Sequence, residues 1–143
     1  MGIKQLSVFC ENKRGTLHEI TDIIAAAGID LRTMCVADTS DYGIVRIIAD
    51  DPEKASDILK AAGHTASIRE VTAFAVPDVP GGLAKALSIL EENGVNIEYM
   101  YALVTTSTDK AFTVMRTDDS AKAEEVLTAA GIELLDEEGI KNN

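Results

Sequence analysis

The chain contains an internal repeat, and this repeat limits the fold more than any other feature of the sequence. At an offset of 66 residues, three residues recur in the pairs Gly15 and Gly81, Leu17 and Leu83, and Gly28 and Gly94. At an offset of 68 residues, the stretch ILKAAG that ends at Gly63 aligns with VLTAAG that ends at Gly131. A repeat of this length is one supersecondary unit, and two copies fill the 143 residues.

Periodicity predicts the elements of the first copy. Apolar and polar residues alternate from Ile3 to Phe9, as they do in a half-buried strand. Apolar residues then recur at helical spacing up to Gly28, a residue suited to the left-handed conformation that ends a helix. Two strands, residues 29–39 and 42–50, are joined by a Ser-Asp turn, and a second helix ends at Gly63.

The second copy has the same order of elements. Residues 64–76 supply the closing strand of the first copy and, almost without a break, the first strand of the second. The remaining predicted elements are a helix ending at Gly94, strands at 95–105 and 110–117, a helix ending at Gly131, a short strand at 132–136 and a loose tail at 137–143.

The predicted order is therefore βαββαβ, twice, with one domain at residues 1–69 and the other at 70–143. Such a unit folds as an antiparallel sheet with both helices on one face. The fold class is α+β: two ferredoxin-like sandwiches in tandem. Many functions use this fold, so the function has to be argued from particular residues.

Charge and cysteine content exclude several classes of partner. A net charge of −11, spread along the chain, repels phosphate backbones and anionic lipids, so neither nucleic acid nor a membrane is expected to bind. The sequence lacks the run of about 18 apolar residues that a membrane helix needs. Two cysteines are too few for a disulfide framework. The sequence predicts a reduced, soluble, cytoplasmic protein.

The residues that usually carry catalysis or bind metals do not form a recognisable set. Cys10 and Cys35 lie on different predicted strands, and the sequence has no C-x-x-C loop. Neither His18 nor His64 has a second histidine or a cysteine at metal-ligand spacing. No nucleophile-elbow pattern occurs. We therefore expect no catalytic residue, no metal and no cofactor.

The turn between the first strand and the first helix is the remaining candidate. It reads ENKRGT in the first copy and PDVPGG in the second. The helix that follows each turn begins with unpaired N–H groups and a partial positive charge, which suit a carboxylate. Asn12 and Asp78 precede the two turns, and their oxygens suit an ammonium group. The alternative is that both side chains only cap a helix or fix a turn.

The turn and the residues after it resemble the ACT domain, a small regulatory module that binds amino acids. Copy two has Asp78-Val79-Pro80-Gly81-Gly82-Leu83 followed by Gly94-Val95-Asn96-Ile97. Copy one has Asn12-Lys13-Arg14-Gly15-Thr16-Leu17 followed by Gly28-Ile29-Asp30-Leu31, with Arg14 in place of the proline. The stretch CENKRG is also similar to the serine-sensing domain of phosphoglycerate dehydrogenases, with Cys10 at the position of a histidine in that domain. The resemblance covers roughly residues 1–136.

The resemblance implies a ligand at the joint between two ACT domains, within one chain or between chains. The turn of one domain faces the start of the second strand of its neighbour. The resemblance therefore implies that two turns hold the ligand and that two facing walls complete the site. The residues of the turns are Asn12, Lys13, Arg14, Gly15, Thr16, Leu17, Asp78, Val79, Pro80, Gly81, Gly82 and Leu83. The residues of the walls are Asp30, Leu31, Asn96 and Ile97.

The expected function is that of a non-catalytic, allosteric regulatory protein, a homodimer whose effector is a free amino acid. The alternative is a regulatory subunit of a separate enzyme of amino-acid biosynthesis, similar to the small subunit of acetolactate synthase. Two further hypotheses stay open: an enzyme, and a structural assembly module with a vestigial site.

Overall fold

The computed structural model describes residues 2–38, 42–106 and 109–141. The chain divides into two compact units. The first unit is Lys4–Arg69, and the second consists of residues 1–3 and 70–143. The hairpin turn predicted at residues 40 and 41 lies outside the described residues.

The elements of the first half follow the predicted order. They are β1 (Ile3–Glu11), α1 (Thr16–Ala26), β2 (Leu31–Asp38), β3 (Tyr42–Ala49), α2 (Pro52–Ala61) and β4 (Ala66–Pro77). In the first unit the strands lie in the order β2-β3-β1-β4, and β1 and β2 both pair antiparallel with β3. The boundary between the two units falls inside β4.

One face of the first sheet carries the core of the first unit. Leu6 and Val8 alternate along β1 and pair with Ile47 and Val45 of β3. All four side chains are buried in one cluster, whose helical members are Ile20, Ile24, Ala55 and Leu59. Because α1 and α2 both contribute to this cluster, both helices pack on the same face of the sheet.

The second unit repeats this arrangement. Its further elements are α3 (Gly82–Glu92), β5 (Ile97–Ala102), β6 (Lys110–Thr117), α4 (Ser120–Ala129), β7 (Glu133–Leu135) and α5 (Glu137–Lys141). The strand order is β7-β4-β6-β5, and all three pairings are antiparallel. Its core joins Phe74 and Met115 of the sheet to Leu90 of α3 and Leu127 of α4. Each half is thus a βαββαβ ferredoxin-like sandwich, and the predicted α+β fold class is confirmed.

The prediction of a loose tail after residue 136 is wrong for the described part of that tail. Residues Glu137–Lys141 form α5, and the Ile140 side chain is buried. Asp136 starts this short helix, because its Oδ1 accepts a hydrogen bond from the Gly139 N–H at 2.7 Å. Among the described residues, no helix is long and apolar enough to span a membrane.

Candidate functional site

The turn between β1 and α1 is fixed by backbone hydrogen bonds. The Lys13 N–H donates to the Glu11 carbonyl at 2.9 Å, and the Thr16 N–H donates to the Lys13 carbonyl at 3.4 Å. Gly15 precedes the helix with φ 90°, a left-handed conformation that a residue with a Cβ rarely adopts. The Glu19 N–H then donates to the Gly15 carbonyl at 2.9 Å and begins the helical ladder.

The turn between β4 and α3 has the same hydrogen bonds at the matching positions. The Val79 N–H donates to the Pro77 carbonyl at 2.9 Å, and the Gly82 N–H donates to the Val79 carbonyl at 3.0 Å. Gly81 has φ 85°, and the Lys85 N–H donates to its carbonyl at 3.0 Å. The same backbone turn therefore forms with Arg14 in the first unit and with Pro80 in the second.

The two turns differ at the first residue of the helix. A Cβ on Gly82 would lie 2.2 Å from the Pro77 carbonyl oxygen. The backbone of the second turn therefore leaves space only for glycine at this position. Thr16 occupies this position in the first unit, and its N–H makes the longer bond, 3.4 Å against 3.0 Å. The first turn is therefore more open at this point.

Each turn presents backbone donors at the start of a helix. Among the described residues, no hydrogen-bond acceptor pairs with the N–H groups of Leu17 and His18 in α1, or of Leu83 and Ala84 in α3. Such groups carry the positive end of the helix dipole and favour a carboxylate or another anion. The two helices thus offer equivalent anion-binding ends.

The polar side chains of the turns are exposed, and they differ in charge. Asn12 and Asp78 do not stand at the N-cap positions, which Gly15 and Gly81 occupy. In the first turn, Lys13 Nζ lies 3.2 Å from a carboxylate oxygen of Glu11. Arg14 makes no ion pair with any described residue. The first turn is therefore cationic at its tip, whereas the only charged side chain of the second turn is the Asp78 carboxylate.

A small pocket lies beneath the first turn. Its volume is about 70 Å³, and its lining includes Cys10, Asn12, Thr16, Leu17 and Val36. The Cys10 thiol donates to the Glu11 carbonyl oxygen at 3.5 Å. Burial, and to a lesser degree the charge of Glu11, raises the pKa of this thiol above its ordinary value. Cys10 therefore contributes a neutral, weakly polar wall at neutral pH.

The backbone of each predicted facing wall is held by an aspartate clamp, that is, by the aspartate directly after the neighbouring strand, β3 or β6. In the first unit, the Asp30 N–H donates to Asp50 Oδ1 at 3.2 Å, and the Asp50 N–H donates to the Asp30 carbonyl at 3.1 Å. In the second unit, Asn96 and Asp118 make the same pair of bonds, at 3.0 and 3.1 Å. The clamp fixes the backbone immediately before Leu31 and Ile97 in the two units.

The βαββαβ order of the elements and the hydrogen bonds of the turns are the same in both halves of the chain. The family model of the ACT domain pair matches residues 1–142. The chain belongs to the ACT domain family. ACT domain pairs are regulatory modules, and the predicted resemblance is confirmed over almost the whole chain.

Solved structures agree with this ACT assignment. Protein BT0572 from Bacteroides thetaiotaomicron is 40% identical, with a TM-score of 0.91, and the match covers 98% of this chain and 96% of that chain. The regulatory subunits of aspartate kinase from Thermus thermophilus and Thermus flavus share the fold, with TM-scores of 0.66 and 0.62 and identities of 16% and 17%. Both matches cover 89% of this chain and 91% of the other. No match is found among the curated proteins.

The first ACT unit does not bring its own turn and its own wall together. The pocket beneath the turn is lined by Val36 and Gly43, at one end of the hairpin of β2 and β3. Leu31 pairs with Ala49 at the other end. Val36 lies five positions after Leu31, which is about 16 Å along an extended strand. The structure thus groups Asn12, Lys13, Thr16 and Leu17 in one place, and Asp30 with Leu31 in another.

Sequence reasoning included Leu17 and Leu83 in the candidate turns but did not predict their exposure. The apolar spacing placed Leu17 and Leu83 on the core faces of their helices, yet their side chains are 37% and 39% exposed beside the turns. The roles of Asp50 and Asp118 as clamps were also missed. The signal for them was present, because these two aspartates align at the offset of 68 residues.

Proposed function

We propose that this ACT domain pair is a non-catalytic regulatory protein that binds a free amino acid at a joint between ACT domains. One observation carries the proposal: two equivalent helix ends present unpaired N–H groups beside an exposed Asn12 or Asp78. An amino acid carries a carboxylate and an ammonium group on one carbon atom, and the two ends of such a site match these two groups.

Each part of the turn has a proposed role in binding. The N–H groups of Leu17 and His18, or of Leu83 and Ala84, hold the carboxylate. The oxygens of Asn12 and Asp78 accept hydrogen bonds from the ammonium group. Asp78 forms the stronger contact, because its carboxylate carries a negative charge that attracts the ammonium group, whereas the Asn12 amide is neutral. The positive φ of Gly15 and of Gly81 lets the backbone approach the ligand.

The pocket size supports a site shared by two domains. Ligand pockets usually measure about 300–1,000 Å³, whereas the pocket beneath the first turn measures about 70 Å³. That volume holds one polar end of an amino acid at most. We propose that a neighbouring ACT domain, of the same or another chain, supplies the rest through Asp30 and Leu31 or through Asn96 and Ile97. The exposed Leu17 and Leu83 then contact the ligand side chain or the neighbouring domain.

An apolar surface supports assembly with a second chain. Phe9 and Ile44 are cross-strand neighbours on the sheet face opposite the helices of the first unit. Their side chains are 44% and 39% exposed. We propose that this face takes part in a homodimer. The second candidate function is a regulatory subunit, in which the same face binds a separate enzyme; regulatory subunits of aspartate kinase have this fold.

We further infer a reducing location in the cytoplasm. Both cysteines, the buried Cys10 and the partly buried Cys35, are free thiols. Proteins of oxidising compartments usually use their cysteines in disulfides.

A thermal-melt screen against the twenty amino acids tests the binding proposal. A ligand at about a hundred times its Kd adds about 2.7 kcal/mol to the native state, which raises Tm by several degrees for a chain of this size. We expect one chemical group of amino acids to raise Tm, and Asn12→Ala together with Asp78→Ala to abolish the shift. Asp57→Ala, an exposed aspartate on α2, is the matched control and should keep it.

Two results would count against amino-acid binding. If none of the twenty raises Tm, the chain is not an amino-acid sensor; co-purification of a larger chain in stoichiometric amount would then establish the regulatory-subunit alternative. If Tm rises equally in the double variant and in the wild type, an amino acid binds elsewhere than at the two turns.

A further inference from the structure

One corner of the second unit carries hydroxyl groups where the first unit is apolar. The strand registers define the match, since Leu6 pairs with Ile47 in the first unit and Thr72 pairs with Met115 in the second. Three positions change from apolar to hydroxyl, in the pairs Leu6 and Thr72, Ala49 and Thr117, and Pro52 and Ser120. We name the group of Thr72, Thr117 and Ser120 the hydroxyl corner.

The hydroxyl corner lines a pocket of about 130 Å³. Thr117 is only 6% exposed, and its Oγ1 has no hydrogen-bond partner among residues 2–38, 42–106 and 109–141. A buried hydroxyl without a partner is unfavourable, so such a group points to a ligand or to ordered water. The pocket has room for an ion with several waters, because one water takes about 30 Å³ in the liquid.

Carboxylates surround this corner. Glu70 and Asp118 line the same pocket. The Thr72 hydroxyl donates to Glu124 Oε1 at 3.3 Å, which brings a third carboxylate to the edge of the corner. Arg116 also lines the pocket, and its Nε lies 3.5 Å from Glu98 Oε1, so a further carboxylate balances its charge. The local field is therefore negative.

The first unit has a positively charged side chain at the position that Glu70 occupies in the second unit. Lys4 aligns with Glu70, and in the first unit the Lys4 ammonium group pairs with Glu53. In the second unit, a carboxylate replaces this ammonium group. At this place the first unit thus carries the Lys4 ammonium group, whereas the second unit carries the Glu70 carboxylate beside the hydroxyl groups.

An anion does not fit the hydroxyl corner, although α4 begins there. Asp119 Oδ1 accepts a hydrogen bond from the Lys122 N–H at 3.1 Å, so a carboxylate of the chain already caps this helix. A tightly held divalent ion does not fit either. Within the described part of the chain, no group of three or more histidine, cysteine, aspartate or glutamate residues is arranged to hold a metal.

We propose that the hydroxyl corner binds a monovalent cation, namely potassium, sodium or ammonium. Thr117 Oγ1 and the Glu70 carboxylate coordinate it, and water completes its shell. Oxygen atoms are the ligands that hard cations prefer. The bound cation gives the Thr117 hydroxyl its partner, and it offsets the negative charge of the corner.

Thermal melting in different chlorides at equal ionic strength tests the proposal. Choline chloride is the reference, because choline screens charge as the other salts do but is too large for direct coordination. We expect at least one of potassium, sodium and ammonium chloride to raise Tm by about 4 °C at tenfold excess over Kd. Thr117→Val keeps the shape and removes the hydroxyl, so it should lose the cation-specific shift. Thr113→Val, on the same strand and the same face, should keep it.

Two further measurements make the test decisive. Glu70→Gln alters an exposed residue and replaces Thr117→Val if that variant does not fold; it should weaken the shift. Rubidium or thallium(I) soaked into crystals should give an anomalous peak in contact with Thr117 Oγ1. Equal Tm in all the chlorides would mean that the corner holds water only. A shift that persists in both variants, or no anomalous peak at the corner, would also overturn the proposal.

Discussion

The Asp118 N–H donates to the Asn96 carbonyl at 3.1 Å, and Asp118 Oδ1 accepts from the Asn96 N–H at 3.0 Å. This reciprocal pair joins the end of β6 to the start of β5. Asp50 and Asp30 repeat it in the first unit. The backbone at the two predicted ligand walls is therefore fixed in the same way in both ACT domains.

Removing this clamp should destabilise the second unit. Asp118→Ala loses the carboxylate acceptor, and we expect the free energy of unfolding to fall by about 1–2 kcal/mol, since the net value of such a bond is about 1 kcal/mol or somewhat more. Asp118→Asn keeps an oxygen acceptor and should retain most of the stability. Urea denaturation of both variants measures the difference. Equal losses in Asn and Ala variants would show that the Oδ1 bond contributes nothing.

Gly82→Ala should distort the second turn. The added Cβ would meet the Pro77 carbonyl oxygen at 2.2 Å, so the start of α3 has to move. We expect a loss of about 1–3 kcal/mol in the free energy of unfolding, as for other overpacked sites. Thr16→Ala at the matching position of the first unit is the control. That position already carries a Cβ, and a loss there as large as in Gly82→Ala would refute the steric explanation.

The ion pair between Lys4 and Glu53 predicts a dependence of stability on pH. The side-chain hydrogen bond from Lys4 is the main cause that lowers the pKa of the Glu53 carboxyl in the folded protein. The unfolded chain therefore binds this proton more readily. The contribution of the pair is complete above the ordinary glutamate pKa of about 4.3 and is lost as the pH falls through the folded value.

Wild type and Glu53→Gln should accordingly differ slightly in Tm at pH 7, and converge as the pH falls toward 3. Both groups are exposed, so the difference should be small and should shrink in high salt. A difference in Tm that stays constant from neutral to acid pH would mean that the pair contributes nothing to the pH dependence.

Cys10 should react with alkylating reagents more slowly than Cys35. Burial raises the pKa of the Cys10 thiol and hides it beneath the first turn, whereas Cys35 is partly exposed. Only the thiolate is the nucleophile. Iodoacetamide labelling at pH 8, followed by mass spectrometry of the peptides, measures both rates. Bound effector should slow Cys10 further and leave Cys35 unchanged; faster labelling of Cys10 would contradict the structure of the pocket.

The sequence predicted the fold well because the signals were doubled. Each of the four helices that the sequence predicted ends at a glycine, and Gly28 and Gly94 both have positive φ, as a left-handed cap requires. The strand at 64–76 was also foreseen as shared by both copies, and β4 runs without interruption from Ala66 to Pro77. Periodicity and repetition together left few alternatives for these elements.

The site was harder to derive, because its parts depend on tertiary geometry. Asn12 and Asp78 were predicted as ligand residues from the turn chemistry alone, and their role stays a prediction. The exposure of Leu17 and Leu83 was not predicted, because helical spacing does not show which end of a helix extends beyond the sheet. The prediction of a loose tail was wrong for a related reason. Ile140 is one apolar residue in an acidic segment, and only the packed structure shows that its side chain is buried.

We propose that an amino acid binds to the free N–H groups at the start of α1 or α3. The most direct measurement is a ¹H–¹⁵N titration of the labelled protein with the amino acid that raises Tm most. We predict that the amide signals of Leu17 and His18, or of Leu83 and Ala84, shift saturably with one Kd, and that Asp78→Ala weakens the response of the second pair. A saturable titration that leaves all four amides unmoved would contradict the account.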